Sequence, residues 1–178
     1  MDLYKKNIYW ETYEKYDSCL VLSHFKGHCS SGYEGALKQL SIDFGSTAGK
    51  FLQHTGGQIT DYNDFRSKKC GAYEFKETMA DVVSVVVKHF KGNMTFFNIM
   101  VNINLDCDCD GSARPPVMAN ISILSSTDQV YLDLVYNSND EGKTQLIERI
   151  DSLYGNHVIE CSVKLGTGIK EYELIHVK

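Results

Sequence analysis

Between Phe75 and Phe90 the residues Phe75, Met79, Val82, Val83, Val86 and Phe90 recur on one helical stripe, and Lys91-Gly92 closes the run. A helix with so apolar a face must lay it on another apolar layer. The next segment, Met94–Ile103 (MTFFNIMVNI), supplies one, and its nearly unbroken apolar character predicts a long strand buried on both faces. Cys19–Ser23 and Ile121–Leu124 predict shorter strands, and Val158–Leu165 and Tyr172–Val177 predict the last two. Helices are expected over Tyr33–Ile42, after a cap at Ser46 or Thr47, from Thr127 or Asp128 through Asn137, and over Thr144–Tyr154. Residues 2–16 carry a looser helical pattern, and 55–73 read as an irregular excursion. Strands alternating with helices specify an α/β fold, three-layer-like, with a mostly parallel or mixed sheet and flanking helices.

The chain has 178 residues, 43% of them hydrophobic, which suits a single domain over 1–178. With 18 Lys+Arg against 23 Asp+Glu, the net charge of −5 removes the usual electrostatic case for nucleic acid. No apolar run approaches the roughly 18–20 residues needed to span a bilayer, and no apolar stretch follows the charged start as in a secretory signal. The six cysteines are unevenly spaced and read as reduced thiols, so a cytoplasmic location is expected.

The densest polar cluster, Ser23-His24-Phe25-Lys26-Gly27-His28, directly follows a predicted strand. Ligands of open α/β sheets bind at the carboxyl ends of strands, which is where it falls. Its imidazoles and ammonium can ligate a metal, bind an anion or move a proton, or serve only as a polar loop. Gly32 and Gly35 precede Ala36-Leu37-Lys38, so helix-entry amides could approach an anionic ligand, with Lys38 one turn in. A nucleotide triphosphatase loop is excluded: Gly27-x4-Gly32 lacks the following lysine, and Gly45-x3-Gly49-Lys50 has the wrong spacing. In Asp106-Cys107-Asp108-Cys109-Asp110, an extended chain would put Cys107 and Cys109 on one face. They read as soft metal ligands or as small thiols in an acidic turn. Asp128 reads as the cap of its own helix or as a ligand contact.

Five segments in order, VLSHFKGHCSSGYEGALKQL (21–40), GKFLQH (49–54), NIMVNINLDCDC (98–109), SILSSTDQVYLD (122–133) and GTGIKEYELI (166–175), resemble the uncharacterised Fe–S center protein family, a domain of unknown function. That resemblance implies an iron–sulfur link, and a longer architecture of which this chain would be the C-terminal part. Many members carry a ferredoxin-like insert with two four-cysteine clusters, whereas Thr55–Phe75 here holds one cysteine, Cys70. Gln129 and Tyr131 also replace the usual proline and alanine. More distantly, His28-x3-Gly32-x2-Gly35-Ala36-x-Lys38, followed by His54, is similar to the nickel-pincer lactate racemase family. This implies Lys38 as the amine attaching the cofactor, and His28 and His54 as acid/base groups or nickel ligand.

The resulting expectation is a metal or anionic-cofactor site at the carboxyl edge of the sheet. Lys38, His28 and His54 would carry any chemistry, with Gly32, Gly35, Lys26 and Asp128 contacting the cofactor. His24, His28, Cys107 and Cys109 would hold a metal, with nickel, iron or an iron–sulfur cluster as candidates. Three functions stay open: an enzyme of redox or racemase-like type, an iron–sulfur electron-transfer accessory, and a non-catalytic binding module. A small anionic ligand is the expected partner, and a second copy or a partner domain could complete the site.

Overall fold

The computed structural model describes residues 13–58, 61–65, 67–107, 116–118, 121–125 and 127–175. A single 3-10 turn, Tyr13–Lys15, precedes strand β1 (Cys19–His24), which runs into the short strands β2 (Lys26–His28) and β3 (Gly32–Glu34). Helix α1 (Ala36–Lys38) continues as a π-helical stretch over Gln39–Asp43, followed by α2 (Thr47–His54), α3 (Tyr62–Phe65) and the long α4 (Ala72–Phe90). Strands β4 (Met94–Met100) and β5 (Ile121–Ser125) and helices α5 (Asp128–Asn137), α6 (Lys143–Ser152) and α7 (His157–Lys164) complete the order. The α/β class is therefore as expected. The sheet is mixed: β4 lies between β1, which pairs with it in parallel, and β5, which pairs antiparallel, while β2 and β3 form a separate hairpin.

Helix α4 organises the interior. Its first half contributes Phe75, Met79 and Ala80 to a cluster with Phe25, Tyr33, Met100, Tyr131, Leu132 and Ile150. Its second half contributes Val83, Val86 and Phe90 to another with Val21, Ala36 and Leu40. Burial of each large side chain contributes about 1.5–3 kcal/mol before conformational entropy is set against it. Ser46 caps α2 by accepting from the Gly49 amide at 3.1 Å, as the sequence suggested.

Four expectations are corrected. Strand β4 is shorter than expected and half exposed: Asn98 and Met100 are buried, while Phe97 and Ile99 face outward, as do Leu20 and Leu22 of β1. The period is that of a strand covered on one face. Val158–Leu165 is not a strand. Buried Val158, Ile159 and Ser162 are spaced for a helix, and α7 packs along α4. No strand forms over 172–175, where Tyr172 instead donates to Asp133 at 2.7 Å. Finally, α1 begins only at Ala36, because Gly32–Glu34 pairs with β2.

Candidate functional site

The parallel pair β1 and β4 ends at His24 and Met100, and the polar residues gather just beyond this carboxyl edge. A small cavity of about 150 Å³ opens there, lined by Leu22, Ser23, His24, Lys26, Glu34, Gly35 and Gln39. The β2–β3 hairpin brings Lys26 and Glu34 face to face in register. On one wall, the Ser23 hydroxyl donates to Gln39 Oε1 at 2.5 Å. His24 donates its Nε2–H to the Val101 carbonyl at 2.5 Å, which orients the ring and occupies Nε2.

Behind this cavity, with Glu34 as the shared wall, lies a buried charged cluster. Lys38 donates to Glu34 Oε1 at 2.9 Å, with Asp43 Oδ1 at 3.8 Å. Burial works against the Lys38 charge, yet the two carboxylates hold its pKa above the ordinary amine value. Burial would likewise raise Glu34, but Lys38 and the Cys107 thiol bring it below the usual carboxylate value. One ring nitrogen of His28, one Glu34 oxygen and Cys107 Sγ lie within 4.8 Å of one another. His28 Nδ1 accepts from the Ser30 and Ser31 amides, each at 3.1 Å, so the neutral ring carries its hydrogen on Nε2. Burial lowers the His28 pKa to about 4, and Lys38, Lys76 and Arg149 reinforce the shift against Glu34.

Two features bring Cys107 here. Gly27 lets the turn after β4 press against the hairpin: its amide donates to Asn104 O at 2.7 Å, and a Cβ would stand 2.1 Å from Leu105 O. Arg149 on α6 then fastens that turn through Asp106 at 2.9 Å. Of the two expectations for this segment, the acidic turn with a buried thiol is met as far as Cys107, and the extended chain is not. Cys109 lies outside the described residues.

The remaining predicted residues are placed as follows. The α1 amides expected to meet an anionic ligand already meet one from within the chain. Asp128 accepts from Ala36 N at 2.8 Å and Leu37 N at 3.0 Å, and also from Asn98 Nδ2 at 2.9 Å. Asp128 thus caps α1 rather than its own helix, and Gly35 is required beside it because a Cβ there would come within 2.8 Å of the carboxylate. Gly32 lies in the hairpin against Ile150 and Gly155. His54 ends α2 with its ring stacked on Phe75, centroids 4.5 Å apart, and does not line the cavity. Burial, then Lys69, His28, Lys38 and Lys76, lower its pKa to about 4.

Sequence reasoning missed two members. Glu34 was hidden inside a Gly-rich turn, although its i,i+4 spacing to Lys38 was a legible signal. Lys76, fully buried on α4, donates to Ser30 O at 2.9 Å, and burial lowers its pKa to about 8. Nothing in its sequence neighbourhood marks it as buried.

The donor sets can be tested against the cofactors implied by the resemblances. An iron–sulfur cluster needs several thiolates together, but each potential ligand group among the described residues contains one cysteine. A covalently held pincer cofactor needs a neutral lysine amine, whereas Lys38 is a paired ammonium. Neither group fits the described residues. The family model described as a domain of unknown function (DUF362) matches residues 3–137. No curated protein and no solved structure matches the chain.

Proposed function

We propose, from the premise that the chain belongs to the DUF362 family of domains of unknown function, that it binds a small anion in the cavity at the carboxyl edge of the sheet. The supporting observation is a buried lysine, Lys26, in the lining of this opening, with further cations behind it. Lys26 lines the cavity, Lys38 stands behind its Glu34 wall, and the charges of Lys76 and Arg149 reach His28. Lys26 and Lys38 are each less than a tenth exposed, so their charges act through protein rather than bulk water. A volume near 150 Å³ is well below that of drug-sized sites and suits a ligand the size of a dicarboxylate or phosphate. Ser23, Gln39 and His24 add hydrogen-bonding groups that would orient it.

Calorimetric titration of the whole chain with oxalate and with inorganic phosphate, at fixed ionic strength, tests this reading. Saturable one-site binding is expected for at least one anion, weakened at least about tenfold (~1.4 kcal/mol) in Lys26→Met. Absence of saturable binding, or equal binding by the variant, overturns it.

A second reading rests on the approach of His28, Glu34 and Cys107. A divalent cation held there would take the Cys107 thiolate and the Glu34 carboxylate, whose Oε1 already accepts from Lys38. It would also require the His28 hydrogen to leave Nε2, at the expense of the two amide bonds to Nδ1 if the proton moves there. That cost places the metal reading second. Cobalt binding with a thiolate band that disappears in Cys107→Ala would support it.

A further inference from the structure

A separate group of ligand-type side chains lies between α4 and α7, and its two α7 members fall beyond the span matched by the family model. His157 and Cys161 are four residues apart on α7 and so share one face. Glu77 on α4 comes up to the same place, because the two helices pack against each other along their length. His157 Nε2 is 3.3 Å from Cys161 Sγ and 3.5 Å from Glu77 Oε1, and all three ligand atoms fall within 4.8 Å of one another.

These separations can be compared with what zinc demands. Bond lengths of about 2.3 Å to sulfur and about 2.0–2.1 Å to nitrogen and oxygen, at tetrahedral angles, put S and N about 3.6 Å apart and N and O about 3.4 Å apart. The two printed distances are already close to those values. The far side of the imidazole is arranged correspondingly: Nδ1 lies 3.3 Å from Glu160 Oε2. A carboxylate on Nδ1 fixes the hydrogen there and directs the Nε2 lone pair toward Glu77 and Cys161, as in carboxylate–histidine–zinc arrangements. Tyr73 stacks on the ring with centroids 3.6 Å apart, holding its plane.

We propose that His157, Cys161 and Glu77 form a site for a divalent cation of the zinc class, with Glu160 orienting the histidine. Binding exchanges the Cys161 thiol proton, released to solvent, for a metal–thiolate bond, and the thiolate and Glu77 together balance the dipositive charge. Three protein ligands leave a fourth position for water. Half-exposed Glu77 and partly buried Cys161 give the ion a route in from solvent. The site clips α7 onto α4 and is independent of the anion cavity.

Cobalt(II) is the probe, titrated into the reduced, metal-stripped whole chain and followed by absorption. The expected result is a thiolate-to-cobalt band saturating at one equivalent. The band should be lost in Cys161→Ala, retained in Cys107→Ala, and require at least about tenfold more metal in Glu77→Gln. Zinc should also slow alkylation of Cys161 in the unmodified protein, a readout that does not depend on any variant folding. No thiolate band, a band that follows Cys107 instead of Cys161, or alkylation of Cys161 indifferent to zinc, overturns the proposal.

Discussion

Asp128 satisfies two backbone amides of α1 and the Asn98 side chain at once, and Tyr33 approaches it at 3.4 Å. All of these are donors, so the position calls for a group that only accepts. Asp128→Asn would turn one acceptor into a donor facing donors, leaving buried groups unpaired. Denaturant unfolding should show a loss of about 1–3 kcal/mol, more than a surface exchange gives. A sequence can mark an aspartate before a helix, but not that it caps a helix more than ninety residues earlier. His28 illustrates the same limit. Its place after a strand was legible, whereas the two amides that fix its tautomer belong to a turn formed only in the fold. Because burial and then Lys38 depress its pKa to about 4, Lys38→Met should raise it measurably in an NMR titration. An unchanged value would show that the two groups are not neighbours in solution.

Elements were legible where one period dominated. The α4 stripe and the Ser46 cap are local signals, and both formed as read. The misreading of 158–165 as a strand came from β-branched Val158, Ile159 and Val163, whose preference for strands yielded to packing against α4. Burial of β4 on both faces was inferred from composition, and composition does not say how many layers cover a sheet. The contact between the β2–β3 hairpin and the turn carrying Cys107 depends on the missing side chain of Gly27. Gly27→Ala would drive a methyl into Leu105 O, so the turn must move. The expected cost is about 1–3 kcal/mol, read as a lowered melting temperature, with increased reactivity of the buried Cys107 thiol. Wild-type stability and thiol protection in that variant would contradict the close approach.

At the scale of the molecule, two mostly buried imidazoles, His28 and His54, sit among cations on the same side of the core. Both have folded-state pKa values near 4, below the ordinary 6.5. Between these values the unfolded chain binds more protons, so stability falls as pH drops from about 6.5 and levels off below about 4. Each imidazole should contribute a loss of order 1–3 kcal/mol over that window, visible as acid-dependent melting that His54→Gln partly removes. Among the described residues no helix is long and apolar enough to cross a membrane. The candidate site was half legible. Strand ends and the cluster of His24, Lys26 and His28 located it, while Glu34, Lys76 and the Asp128 cap came only from tertiary packing.

The central claim is that the carboxyl edge of the sheet carries a cavity in which buried Lys26, with the His24 ring beside it, receives a small anion. The most direct measurement is a 15N-imidazole NMR titration of the whole chain with oxalate and, separately, with inorganic phosphate, at constant pH and ionic strength. Saturable shifts of the His24 resonances with at least one of the two anions, with His89 and His157 unmoved, are predicted. Shifts confined to His89 or His157, or no saturable shift at any ring with either anion, would contradict the account.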